Sequence, residues 1–125
     1  MAMQLLYYSP TVDKNSERLE AAIHRVIPKG RIEPFKSLIA LEGRLRTPIE
    51  PDSIAVLSAS NREELQQMQL LRGLLAEIFV VLVVADRKKS TIELAHRLLP
   101  RFLSQKSDDF KDLSKVLDKI CRTSH

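Results

Sequence analysis

Four short polar runs in this 125-residue chain carry the residue types that chemistry needs, and each directly follows an apolar run. They are Ser9, Pro10 and Thr11; Ser58, Ala59, Ser60 and Asn61; Asp86, Arg87, Lys88 and Lys89; and Gln105, Lys106 and Ser107. These types suit anions. Arg87, Lys88 and Lys89 supply charge and Thr11 a hydroxyl. A helix opening after residues 86–90 would add backbone amides to the grip on a phosphate or nucleotide. A solvated loop ending in a helix cap accounts for the same residues. Ser58, at the exit of IAVLSASN (residues 54–61), is a nucleophile by type, but no acidic pair accompanies it to hold a metal.

Other chemistries find less. His24 and His96 sit among charged neighbours and His125 is the last residue, with no second ligand at metal spacing and no nucleophile in a recognisable turn. No pair of titratable groups takes acid and base roles, so neither an enzyme nor a metal is expected. The single cysteine, Cys121, cannot close an internal disulfide. The net charge of +4 comes from basic residues spread along the chain among 16 acidic ones, with four phenylalanines, two tyrosines and no tryptophan. Nucleic acid is therefore not the expected partner. The amino-terminal MAMQLLYY is no signal peptide, and no apolar run approaches the ~20 residues of a membrane span. A cytoplasmic protein with no membrane contact is expected.

The elements that must position these runs follow from periodicity. Residues 4–8 (QLLYY), 53–57 (SIAVL) and 79–85 (FVVLVVA) are short apolar runs with little alternation, as strands covered on both faces should be. Residues 31–35 and 101–104 are weaker strand candidates. Residues 16–27 place Leu19, Ala22, Ile23, Val26 and Ile27 on one helical face, closed by Pro28 and Gly30. Residues 37–46 make a short helix despite Gly43. Residues 62–75 form another, opened by a capping box of Ser60 and Glu63. Ser90 and Glu93 form the same box before a fourth helix stopped by Pro100. Phe110, Leu113, Val116, Leu117 and Ile120 define the last helix, with Asp108 and Asp109 at its positive end. Strand and helix alternating five times predict one domain over residues 1–125, a five-stranded doubly wound parallel sheet with helices on both faces.

Five β/α units in this length, a polar pair after the first strand, and a last unit reading FLSQKSDDFKDLSKVLDKI resemble the receiver domain of two-component response regulators, a flavodoxin-like three-layer sandwich. The resemblance implies a magnesium-holding acidic pair after the first strand, a phosphoacceptor Asp after the third, a Thr or Ser after the fourth and a Lys after the fifth. In this chain the acidic pair falls on Ser9 and Pro10, the acceptor on Ser58 and the hydroxyl on Val84. Spacing from the fourth strand puts the lysine at Lys106, whereas aligning Phe102 with the family's switch aromatic puts Gln105 there. By this resemblance the chain is a pseudo-receiver, without the carboxylates that phosphoryl chemistry requires.

The expected function is a non-catalytic signalling or regulatory module, of bacterial type, that binds a protein partner and needs no cofactor. The resemblance implies a homodimer or partner face built from the fourth helix, fifth strand and last helix. That face would carry Thr91, Glu93, His96 and Arg97 on one helix and Lys111, Asp112, Ser114, Lys115, Asp118 and Lys119 on the other. The alternative is a small anionic ligand or nucleotide held at the carboxyl edge of the sheet by Ser9, Thr11, Ser58, Arg87, Lys88 and Lys89. The hydroxyl-rich residues 9–16 would face the phosphate of FMN in a flavodoxin, but they lack the glycine such close approach favours, so flavin is not expected.

Overall fold

A computed structural model describes residues 4–106 and 109–123. Five parallel strands, β1 (Leu5–Tyr8), β2 (Ile32–Phe35), β3 (Ile54–Ser58), β4 (Phe79–Val84) and β5 (Phe102–Gln105), form one sheet in the order β2-β1-β3-β4-β5. The helices are α1 (Lys14–His24), α2 (Leu38–Leu45), α3 (Arg62–Met68), α4 (Arg72–Leu75), α5 (Lys89–His96) and α6 (Lys111–Thr123).

The strands bury both faces, so their period-2 side chains split into two apolar layers. Leu5, Tyr7, Ile54, Val56, Val81 and Val83 pack beneath α1 and α6, meeting Leu19, Ile23, Leu113 and Leu117. Leu6, Tyr8, Ala55, Leu57, Leu82 and Val84 face the other way, against Leu41 of α2, Leu65 and Met68 of α3, and Ala95 of α5. β2 and β5 are the sheet edges. Pro34 lies on β2, where its missing N–H deprives no ladder of a donor and blunts the edge.

Several boundaries differ from expectation, each for a local reason. α1 opens two residues early because Asp13 is its cap: Asp13 Oδ1 accepts from Ser16 N (2.8 Å) while Asp13 N donates to Ser16 Oγ (2.8 Å). α3 is capped by Asn61, one residue after Ser60, with Asn61 Oδ1 accepting from Glu64 N (2.9 Å). The expected helix over residues 62–75 is broken by a 3-10 turn at Gln69–Leu71. There Gln69 Nε2 donates to the carbonyls of Leu65 (3.2 Å) and Leu94 (3.0 Å), tying the break to α5. α5 starts at Lys89 with no side-chain cap, so Ser90 is not capping it. Starting there aligns Thr91 with Ala95 and Leu98 at helical spacing, which buries Thr91 (2% exposed) instead of presenting it outward. Ser114 likewise turns inward and donates to Ala22 O (3.1 Å). Asp109 Oδ1 accepts from Lys111 N (3.0 Å) at the start of α6, and Asp108 lies outside the described residues.

Candidate functional site

In this strand order the chain leaves β1 for one side of the sheet and later returns to the other. The carboxyl ends of β1 and β3 therefore flank the crevice where open α/β sheets place their ligands. Ser9 follows β1 directly, is 4% exposed, donates its amide to Phe35 O (3.1 Å) and its hydroxyl to Thr11 O (3.0 Å). Pro10 beside it is half-buried and Thr11 is exposed. Ser58 is the last residue of β3, buried and in register with Val83, and Ala59 N donates to Val83 O (2.9 Å). Val84 ends β4 fully buried in the apolar layer, so the position expected to offer a hydroxyl offers hydrocarbon. Gln105 ends β5, and Lys106 follows it with its amide on Val84 O (2.9 Å). The structure thus brings Ser9, Ser58, Val84 and Lys106 to one edge of the sheet.

Three carboxylates, Asp13, Asp86 and Glu64, also stand at this edge, and each is held by internal donors. The Ser16 amide keeps the Asp13 carboxyl below its ordinary range, and the charge of Lys106 adds to the effect. Asp86 accepts from Lys88 N (2.9 Å), and this bond, with a smaller contribution from the Arg62 charge, holds its carboxyl low as well. Glu64 spans the crevice. Its Oε1 accepts from Ser60 N (2.6 Å) and its Oε2 from the Tyr8 hydroxyl (2.9 Å), which links β1 to the β3–α3 loop. Burial, followed by this bond and the Glu64 charge, pushes the Tyr8 hydroxyl well above its ordinary value. The Asn61-x-x-Glu64 spacing matched a capping signal one residue off the expected one, but the bond to Tyr8, 56 residues away, left no trace in the sequence.

The basic run is spread out. Arg87 Nε donates to Gln105 Oε1 (3.0 Å), and Arg62 Nη1 reaches Ser90 Oγ (2.8 Å). Lys88 and Lys89 are exposed at the start of α5, where Asp86 already takes the Lys88 amide. Thr11 belongs to the loop after β1, and β3 lies between β1 and β4, the strand that this basic run follows. Among the described residues, no group of three or more His, Cys, Asp or Glu is placed to hold a metal ion. None of the described helices is long and apolar enough to cross a membrane.

No protein-family model matches the sequence, and no curated protein matches it. Solved structures do match in shape. A protein assigned to pilus assembly (CpaE) from Burkholderia thailandensis E264 superposes with a TM-score of 0.69 at 17% identity, covering 97% of this chain and 99% of that one. A pilus assembly-related protein from Burkholderia pseudomallei K96243 gives 0.65 at 16% identity, covering 96% and 90%. The response regulator Rcp1, in its manganese-bound form, gives 0.61 at 16% identity, covering 94% and 91%. With the strand order and the two helical layers, these likenesses establish a receiver-like, flavodoxin-like α/β fold over the described chain.

Proposed function

We propose that this domain is a non-catalytic, receiver-like regulatory module that acts by binding a protein partner. The observation that carries the reading is the state of the carboxylates at the ligand edge. Asp13 caps α1, Asp86 takes the amide before α5, and Glu64 bridges Tyr8 and Ser60. Each negative charge is spent on structure, and Ser9, Pro10 and Ser58 stand where a receiver's metal and phosphoryl ligands would be. A phosphoryl group on Ser58 would also bring negative charge into a buried position beside Ser9 and Pro10, which carry no carboxylate for a balancing divalent cation. Incubation with acetyl phosphate and magnesium is expected to leave the protein unlabelled by mass spectrometry. Stable incorporation on Ser58 would overturn the non-catalytic reading.

The partner face we propose is α5, β5 and α6, where Glu93, His96, Arg97, Lys111, Asp112, Lys115 and Lys119 are exposed around the edge strand β5. Mixed charges of this kind set register more than affinity. If this face forms a homodimer, the Lys115→Glu, Lys119→Glu double variant should elute later than the parent in size-exclusion chromatography. Identical elution of a dimeric parent and its variant would rule the face out. Two of the structural neighbours described above are assigned to pilus assembly, which makes that process the first in which to seek a heterologous partner.

A further inference from the structure

Away from the carboxyl edge, a cleft of about 200 Å³ opens between the second half of α1 and the edge strand β2. Its floor is apolar: Ile23 and Tyr7 are almost fully buried there, and Ile32 and Pro34 of β2 form its outer side. Its polar lining comes from Glu20 and His24 on α1 and from Lys29 in the 3-10 turn before β2. Glu20 and Lys29 are exposed, and among the described residues neither belongs to an ion pair, with each other or with a third group. Two opposite charges over one apolar floor, close enough to line the same cleft yet not neutralising each other, leave space for a ligand that carries both charges itself.

We propose that this cleft binds a free α-amino acid with a branched aliphatic side chain. Glu20 faces the ammonium, Lys29 faces the carboxylate, and the side chain covers Ile23, Ile32 and Pro34. The size argues for a small ligand, because the cleft is below the roughly 300 Å³ at which drug-sized pockets begin. Pro34 argues against an added peptide strand as the occupant, since it withdraws a backbone donor from the β2 edge. Because both charges are solvent-exposed and each ion pair is weak, the affinity is expected in the millimolar range. The site is independent of the carboxyl edge, so it stands or falls separately from the regulatory reading above.

The test is an NMR titration of the isotope-labelled intact chain with L-leucine, with isocaproate, which lacks the ammonium, and with isoamylamine, which lacks the carboxylate. Leucine should give saturable shifts of the Ile23, His24, Lys29 and Ile32 amides, and the two truncated analogues should each bind about threefold more weakly, as the loss of one exposed ion pair implies. Lys29→Ala and Glu20→Gln, both at exposed positions that leave the core intact, should each weaken leucine by a similar factor. No saturable shift, equal responses to all three compounds, or unchanged affinity in either variant would overturn the proposal.

Discussion

Glu64→Ala is expected to destabilise the native state by about 2 kcal/mol, a large effect for a half-buried side chain. The carboxylate satisfies the buried Tyr8 hydroxyl and the Ser60 amide simultaneously, at 2.9 and 2.6 Å. Removing it strands both donors, and each stranded buried group costs about 1–3 kcal/mol before water repairs part of the loss. Glu64 itself is only half-buried, so water can reach the vacated site and the total falls near the lower end of that range. Tyr8→Phe removes one donor cleanly and should cost about 1 kcal/mol. Because both changes break one bridge, the double variant should fall short of the sum by about 1 kcal/mol. Urea denaturation of the parent, both single variants and the double variant closes this cycle. Strict additivity, or a parent-like midpoint for Glu64→Ala, would mean that the bridge does not hold β1 to the β3–α3 loop. The same bridge places an internal carboxylate across the crevice between the carboxyl ends of β1 and β3.

What the sequence made readable was whatever depends on local pattern. Residues 54–57 and 79–84 are apolar without alternation, and that pattern has one physical cause, a strand covered on both faces; β3 is buried throughout and β4 from Val80 onward. β2 was harder, because an edge strand of four residues, three half-buried and Pro34 exposed, offers no clear period. Where two capping residues lay close together, the start of α1 slipped by two residues and the cap of α3 by one, although α3 itself begins at Arg62 as expected. At Ser60 and Asn61, and at Asp13 and Ser16, the choice is made by backbone direction, which a capping pattern does not encode. The break at Gln69 depends on a carbonyl of α5 25 residues away, and the Glu64 bridge on a tyrosine in another strand. The candidate site was therefore half legible. The positions of Ser9, Ser58 and Lys106 follow from the order of elements, whereas the internal commitment of Asp13, Glu64 and Asp86 is a property of tertiary geometry alone.

Alkaline pH is expected to unfold this protein partly through Tyr7. Its ring lies beneath α1, its exposure is 3%, and its hydroxyl oxygen is buried with no hydrogen-bond partner among the described residues. Ser9 is a near neighbour, but its proton goes to Thr11 O and the two hydroxyls do not meet in hydrogen-bond geometry. Burial pushes the phenol from its ordinary value of 10 to about 12, with nearby Glu20 and Asp13 adding to the rise. A raised folded value favours the protonated form, so the associated stability is fully present below pH 10 and is lost as pH climbs towards the folded value. Two pH units of displacement correspond to about 2–3 kcal/mol. Other groups titrate in the same range, so the measurement is the difference between the parent and Tyr7→Phe across it. At neutral pH the variant should match the parent or exceed it slightly, because it deletes a buried hydroxyl that has no partner. Between pH 10 and pH 12 the gap should widen in favour of phenylalanine by that amount. A gap that stays constant would show that the Tyr7 phenolate forms in the native state at little cost, and that water reaches the floor beneath α1.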